Sequence, residues 1–377
     1  MPTIQYLTTV QFDFGAIQQV SAECKRLGIQ RPLIVTDRGI RASGLLDRLQ
    51  TALDASLGFE VFDGTPPNPT EAAARLALAQ YRSANADGII AIGGGSSIDL
   101  GKAVALMATH PEPFGQYAAV EGGGPKITAA VAPLIAIPTT AGTGSEVGRG
   151  SIIVCDDGRK LGFLSPHLLP KVAICDPELT FGLPAGLTAA TGMDAIAHCI
   201  ETFLSPLVNP PAEAIALDGL GRAMAHIERA TADGRDRDAR WNMMMAAMEG
   251  ALAFQKGLGA VHALSHPLGA LHDLKLHHGT LNAVLLPAVL RFNAPAVGDK
   301  LSRLAVAMGL PADADVAEAI MDLNTRLELP PGLRAMAVPR DALDGIAAAA
   351  PKDHSHGTTP RKPTVAEYRA LLDAAWI

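Results

Sequence analysis

Asp194 and His198 stand four positions apart in this chain, as do His262 and His266, and a helix carries each such pair on one face. His277 and His278 follow beside Gly279, so that five of the eleven histidines lie between His262 and His278. Imidazole mixed with carboxylate suits Fe2+ or Zn2+, whereas Mg2+ or Ca2+ would be held by oxygens alone. Singly, each pair reads as well as a packed histidine or a salt bridge. Their concentration is what points to a metal, and a cation so held can lower the pKa of a hydroxyl or polarise a carbonyl.

The first half of the chain offers a different chemistry. Gly93-Gly94-Gly95-Ser96-Ser97-Ile98-Asp99 follows an apolar run and opens a helical one through Leu100, Ala103 and Val104. Glycines let the backbone close on a diphosphate, and a helix N-terminus presents unpaired N–H groups to it. The stretch 138–146, with Thr139, Thr140 and Thr143 among glycines, can bond a ribose or a nicotinamide. Its bland reading is capping and tight turns. Asp37 lies just past another apolar run, placed either to accept from the adenosine ribose or to cap a helix beginning near Ile40. Facing the ribose, it would repel a 2′-phosphate by about 1–4 kcal/mol at roughly 4 Å, which selects NAD over NADP.

These residues need elements to position them. Short apolar runs at 32–36, 59–62, 88–92 and 134–137 alternate with helical patterns such as 71–81, the signature of a parallel sheet covered on both faces. From about Pro184 the pattern turns helical, over 188–203, 212–229, 241–256 and 316–327, so a boundary falls near 181–184. The charged stretch 234–240 reads as a solvated connection, and Met243, Met244, Met245 and Met248 as core filling. The stretch 351–363 reads as a polar, turn-rich tail before a short final helix. An edge strand is expected near 5–14, able to pair across a two-fold axis in a homodimer or larger assembly.

Composition narrows the field. With 377 residues, 48% hydrophobic and 18% charged, the chain is globular and longer than one core usually grows. A formal charge of −7 without a basic tract argues against nucleic acid as a partner. No apolar run approaches the roughly 20 residues of a membrane span, and the opening residues lack a secretory pattern, so a cytoplasmic protein without a membrane partner is expected. Cys24, Cys155, Cys175 and Cys199 form no CxxC pair and read as buried thiols.

Taken in order, Gly93 through Asp99, 138–146, Gly192-Met193-Asp194-Ala195 through His198, and 257–287 resemble the iron-containing, or group III, alcohol dehydrogenases over almost the full chain. The resemblance implies an α/β NAD-binding domain with a parallel sheet at 1–183. An all-helical metal-binding domain follows at 184–377, in a dehydroquinate synthase-like architecture. By position it implies Asp194, His198, His262 and His278 as metal ligands and His266 beside nicotinamide and substrate. Asn68, Gly94, Gly95, Ser96, Asp99, Thr139, Thr140 and Thr143 match cofactor-contacting positions. Three features depart from the family's usual pattern: the stretch between His266 and His278 is longer by about two residues, His277 stands where a proline usually precedes the last ligand, and Gly148-Arg149 follows Ser-Glu-Val in place of a threonine. The choice of His278 over His277 as the last ligand therefore rests on its neighbour Gly279.

What the resemblance implies is an NAD-dependent alcohol dehydrogenase with one divalent metal, Fe2+ or Zn2+, and a small alcohol or hydroxy acid as substrate. His266, ahead of Thr143, is the expected relay of the alcohol proton toward solvent. Segments 156–163 and 186–203 look closest to the bacterial 4-hydroxybutyrate dehydrogenases, which need a cation for the substrate carboxylate; Arg149, Lys160 and His277 are candidates, although Lys160 can equally serve the cofactor. The alternatives are a broad-range short-chain alcohol or 1,3-propanediol dehydrogenase. More distant are a metal- and NAD-dependent cyclase or lyase of the dehydroquinate synthase type and a nucleotide-binding protein without turnover.

Overall fold

The computed structural model describes residues 8–271 and 274–377. Positions 5–7 of the expected edge strand and positions 272–273 of the histidine-rich stretch lie outside the described residues. Two compact units emerge: one holds 8–140 with Gly144–Gly182, the other Leu183–Ile377 with Ala141–Thr143.

In the first unit the order is β1 (Thr9–Phe12), α1 (Val20–Leu27), β2 (Pro32–Val35), α2 (Arg38–Ala42), α3 (Leu45–Ala52), β3 (Glu60–Phe62), α4 (Glu71–Ser83), β4 (Gly88–Gly93) and α5 (Gly95–Met107). There follow β5 (Leu134–Pro138), β6 (Gly150–Val154), β7 (Lys160–Leu164) and β8 (Val172–Cys175). Six strands form one parallel sheet in the order β1-β8-β5-β4-β2-β3, and β6 pairs with β7 as a separate antiparallel hairpin. Side chains alternate across the sheet as strand geometry requires. Leu33, Val35, Ile89, Ala91, Leu134 and Ala136 join a core with α4 and α5, while Ile34, Ile90, Ile92, Ile135 and Ile137 join a second with α1 and α3. Both faces are covered, which is why the strands read as unbroken apolar runs.

In the second unit are α6 (Ala185–Leu204), α7 (Pro210–Ala232), α8 (Arg237–Ala253), α9 (Ala260–Gly269), α10 (His278–Asn293), α11 (Lys300–Ala307), α12 (Val316–Arg326), α13 (Leu343–Ala349) and α14 (Val365–Ala374). Every residue of α6 from Thr188 to Leu204 is buried, as expected of a helix apolar on all sides and packed by α7, α8 and α10. Its C-terminal carbonyls are met by a buried lysine: Lys256 Nζ donates to Phe203 O at 3.1 Å and Ser205 O at 2.8 Å and pairs with Glu213 at 2.7 Å. Burial pushes that lysine's pKa down to about 8.

One expectation is corrected here. The stretch 234–240 is not wholly a solvated connection, because α8 begins at Arg237 and turns Arg240 inward, where it is 1% exposed. Its guanidinium donates to Gly234 O at 2.9 Å and Thr188 Oγ1 at 3.0 Å, which satisfies the buried charge's donors. The four cysteines are free and buried. Among the described residues no helix is long and apolar enough to cross a membrane.

Candidate metal centre and cofactor-binding turn

α6 carries Asp194, His198 and Glu201 along one stripe, at helical spacings of four and three. α9 presents His262 and His266 one turn apart, and α10 opens on His278. From Asp194 Oδ1 the Nε2 atoms of His198, His262 and His278 lie at 3.7, 3.9 and 3.7 Å. Two donors on one cation at about 2.1 Å in tetrahedral array stand roughly 3.4 Å apart. Ligand atoms of Asp194, His262 and His278 all lie within 4.8 Å of one another and suit a shared metal ion, with His198 beside Asp194 but outside that trio. Gly279 brings His278 in: a Cβ there would run into the carbonyl oxygen of Ala190 on α6, so only glycine lets α10 start flush against that helix.

Asn282 offers the test of fit. Its Nδ2 lies 2.7 Å from Asp194 Oδ1 and 3.2 Å from Nε2 of both His262 and His278. An amide has two hydrogens for these three acceptors, and the buried Oδ1 of Asn282 is left without a partner. A divalent cation shared by Asp194, His262 and His278 answers the acceptor lone pair that the two amide hydrogens leave over, so the donor set fits a metal.

Glu201 sets the state of His262. Its carboxylate accepts from Val261 N at 2.7 Å and stands 2.6 Å from His262 Nδ1. A carboxylate can only accept, so Nδ1 carries the ring proton and Nε2 keeps its lone pair for a metal, a histidine-carboxylate arrangement common behind metal ligands. Burial works against the charged form of His262, but the hydrogen bond and charge of Glu201, with Asp194, outweigh it and raise the pKa. For His198 burial wins, and its pKa is pushed down to about 4.

His266, Asp353 and His354 form a second group of possible ligands. Here His266 Nδ1 and Asp353 Oδ2 are 2.8 Å apart, a direct hydrogen bond and closer than two tetrahedral donors on one cation would stand. Burial alone would raise the Asp353 carboxyl. The charge and hydrogen bond of His266, with His354 and the Ser355 N–H, reverse this and hold it well below the usual carboxylate range.

In the α/β unit, β4 ends in Gly93 at φ +146°, where a Cβ would sit 2.6 Å from Ser97 Oγ. Helix α5 then starts at Gly95 with no side-chain cap, so its first N–H groups are open to an anion. Around this turn gather Thr139, whose N–H bonds Gly93 O at 3.0 Å, and Ser96, whose hydroxyl bonds Pro67 O. Asn68 takes part too, its Oδ1 accepting from Lys160 Nζ at 2.9 Å. A Cβ on Gly94 would touch Thr140 at 3.5 Å, so that threonine borders the turn as well. Asp37 caps α2 by accepting from Ile40 N at 3.0 Å, and its other oxygen takes the Ser97 hydroxyl at 3.3 Å.

Against this geometry stand the comparisons with known proteins. The family model described as iron-containing alcohol dehydrogenase matches residues 8–177, and that of the Fe-containing alcohol dehydrogenase family, C-terminal, matches 188–376. The chain belongs to the iron-containing alcohol dehydrogenase family. It is accordingly a metal-dependent, NAD-binding oxidoreductase. It is 60% identical to a 4-hydroxybutyrate dehydrogenase of Cupriavidus necator across 99% of each chain. A 1,3-propanediol dehydrogenase of Klebsiella pneumoniae is 37% identical, covering 97% of this chain and 96% of its own. The solved alcohol dehydrogenase of Oenococcus oeni superposes with a TM-score of 0.93 at 30% identity, covering 99% of this chain and 100% of its own.

Within this family member some expected residues serve in ways the sequence did not reveal. Asp99 turns its carboxylate to Ser145 Oγ at 2.6 Å and Ile152 N at 3.0 Å, and burial raises its pKa. Beside it the buried Lys102 donates to Ser145 O, Gly148 O and Gly150 O at 2.7–2.9 Å, binding the loop after Thr143 to α5. Thr143 itself groups with the helical unit. Sequence reasoning missed Glu201, Asn282, Lys102, Asp353 and His354. For Glu201 a signal existed: its spacing of seven and three from Asp194 and His198 puts it on their stripe of an otherwise apolar helix, so its carboxylate must be buried and partnered.

Proposed function

We propose that this protein is a 4-hydroxybutyrate dehydrogenase, interconverting 4-hydroxybutyrate and succinate semialdehyde with NAD. The observation that carries the reading is 60% identity over 99% of the chain to an enzyme of that name, against 37% to a 1,3-propanediol dehydrogenase. Asp194, His198, His262 and His278 hold the metal, Fe2+ by family, with Zn2+ acceptable to the same donors. When bound, the metal supplies a Lewis acid that lowers the pKa of the hydroxyl or polarises the carbonyl.

The chain's own residues do the rest. Gly94, Gly95 and Ser96 receive the diphosphate at the uncapped start of α5, with Asn68, Thr139, Thr140 and Lys160 around it. The Asp37 charge beside this turn disfavours a 2′-phosphate. His266 accepts the alcohol proton. Of the cations considered for the substrate carboxylate, Lys160 is engaged with Asn68, and burial lowers the His277 pKa and keeps that ring neutral. Arg149 is exposed and forms no ion pair among the described residues, which leaves it the anchor we favour. Four buried free thiols suit a cytoplasmic setting, and the place of β1 as an end strand among the described residues suits pairing into a dimer, which light scattering reads directly.

A bidentate guanidinium should favour the hydroxy acid over a neutral alcohol of equal length by about 1.5–3 kcal/mol, or roughly ten- to a hundred-fold. The test is kcat/KM for 4-hydroxybutyrate against 1-butanol and 1,3-propanediol at equal metal loading. A neutral alcohol that matches the hydroxy acid defeats the substrate assignment and leaves the dehydrogenase standing.

A further inference from the structure

The two histidines of α9 are each met at Nδ1 by a carboxylate from elsewhere in the chain, His262 by Glu201 and His266 by Asp353. Only the first pair belongs to the metal cluster. His266 is 6% exposed, and its bond to Asp353 spans 87 positions of sequence. The other Asp353 oxygen accepts from Ser355 N at 2.8 Å and so caps the short 3-10 turn His354–Thr358. That turn is moored at two points. Thr358 Oγ1 donates to Leu258 O at 2.6 Å, just before α9, and His356 Nδ1 lies 2.9 Å from the Tyr368 hydroxyl on α14. The His266 ring also lies near-parallel to the rings of His278, at 5.5 Å with 7° between planes, and of His354, at 5.4 Å with 22°. The bond to Asp353 therefore fixes the donor side of the ring.

We propose that Asp353 is a positioning residue for the reaction: it holds His266 as the Nδ1–H tautomer, so that Nε2 is the nitrogen free to accept the alcohol proton. The inference rests on the reading of His266 given above. As the alcohol is oxidised its O–H bond breaks and the proton goes to Nε2. The O–H electron pair becomes the second C–O bond, and the carbon's hydrogen leaves as hydride to the nicotinamide. The Nδ1 proton stays on the ring, hydrogen-bonded to Asp353, which remains ionised and stabilises the imidazolium.

The test uses the metal-loaded enzyme with D353N, D353E, H266N and the D353N/H266N pair. D353N should lower kcat about a hundred-fold or more, within the range of general acid–base effects, while bound metal and the KM for NAD stay within twofold. D353E should recover at least tenfold of that loss. In the H266N background D353N should change nothing further, because the two act through one proton transfer. If D353N keeps kcat within threefold while H266N is crippled, the Asp353 role is overturned and His266 survives as the base. If H266N retains its rate, the base assignment falls and this inference with it. Multiplying effects in the double variant, or metal lost in step with rate, would also overturn it. Should D353N fail to fold, the 15N shifts of His266 in the zinc-loaded parent decide: a protonated Nδ1 supports the proposal and a protonated Nε2 overturns it.

Discussion

Glu201 should control metal affinity without touching the metal. One carboxylate oxygen accepts from Val261 N at 2.7 Å, and the other faces His262 Nδ1 at 2.6 Å and accepts from His262 N at 3.4 Å. Glutamine has the same shape but offers one oxygen and one NH2 group. If the oxygen faces Val261, the NH2 faces Nδ1, which must give up its proton. The ring then carries the proton on Nε2 and has no lone pair left for the cation. If the oxygen faces Nδ1 instead, two N–H groups meet at Val261 in a buried site. Either arrangement costs about 1–3 kcal/mol, the penalty of an unsatisfied buried donor. We expect E201Q to bind Zn2+ or Fe2+ about 10–100-fold more weakly, equivalent to roughly 1.4–2.7 kcal/mol. Competition against a chromophoric chelator measures this on the apoprotein, anaerobically for iron, and a melting curve on the same sample separates it from stability. A purely packing role would lower the melting temperature and leave the affinity alone. An E201Q protein that takes up metal within twofold of the parent's affinity refutes the tautomer argument.

Asp194→Ala should leave a folded protein with little bound metal and almost no turnover, since Asp194 Oδ1 is the atom from which all three imidazoles are spaced; elemental analysis showing full metal and parental rate ends its assignment as a ligand. Apoprotein stability should fall as pH drops from about 6.5 toward 4, because His198 stays neutral when folded down to about 4 while the unfolded imidazole takes up its proton near 6.5. The loss attributable to this group is about 3 kcal/mol over that window, so urea midpoints of H198Q should show a shallower acid limb than the parent; identical limbs would contradict the sign and the size. Asp37→Ala should narrow the preference for NAD over NADP by about five-fold or more, read as the ratio of kcat/KM values, and an unchanged ratio removes Asp37 from cofactor selection.

The parallel sheet was legible because both its faces are buried, which leaves unbroken runs such as 88–92 and 134–137 in plain view. Strand β8 was not read: four residues, two of them Ala173 and Cys175, carry little β signal, and it is the parallel pairing with β1 and β5 that makes the strand. In the helical unit the spacing of Asp194, His198, His262 and His266 announced the chemistry. Spacing is local, however, and the Asp353 contact closes between residues that share no helix. A polar, turn-rich tail gives no sign that one of its carboxylates folds back onto α9. Arg240 was misread for the opposite reason, since a run of charges looks solvated until a helix start rotates one of them inward.

Gly279 has a consequence for how this family can diversify. Because α10 is seated on α6 by a backbone contact immediately after His278, the place of that histidine is set downstream of the connecting stretch and owes little to its length. Residues gained or lost between α9 and α10 should therefore leave the donor set in place, in the way a rope can be lengthened when the knot is tied at its far end. A library that randomises length and composition in this stretch, with His278 and Gly279 kept, would search for new alcohols at little risk to metal binding.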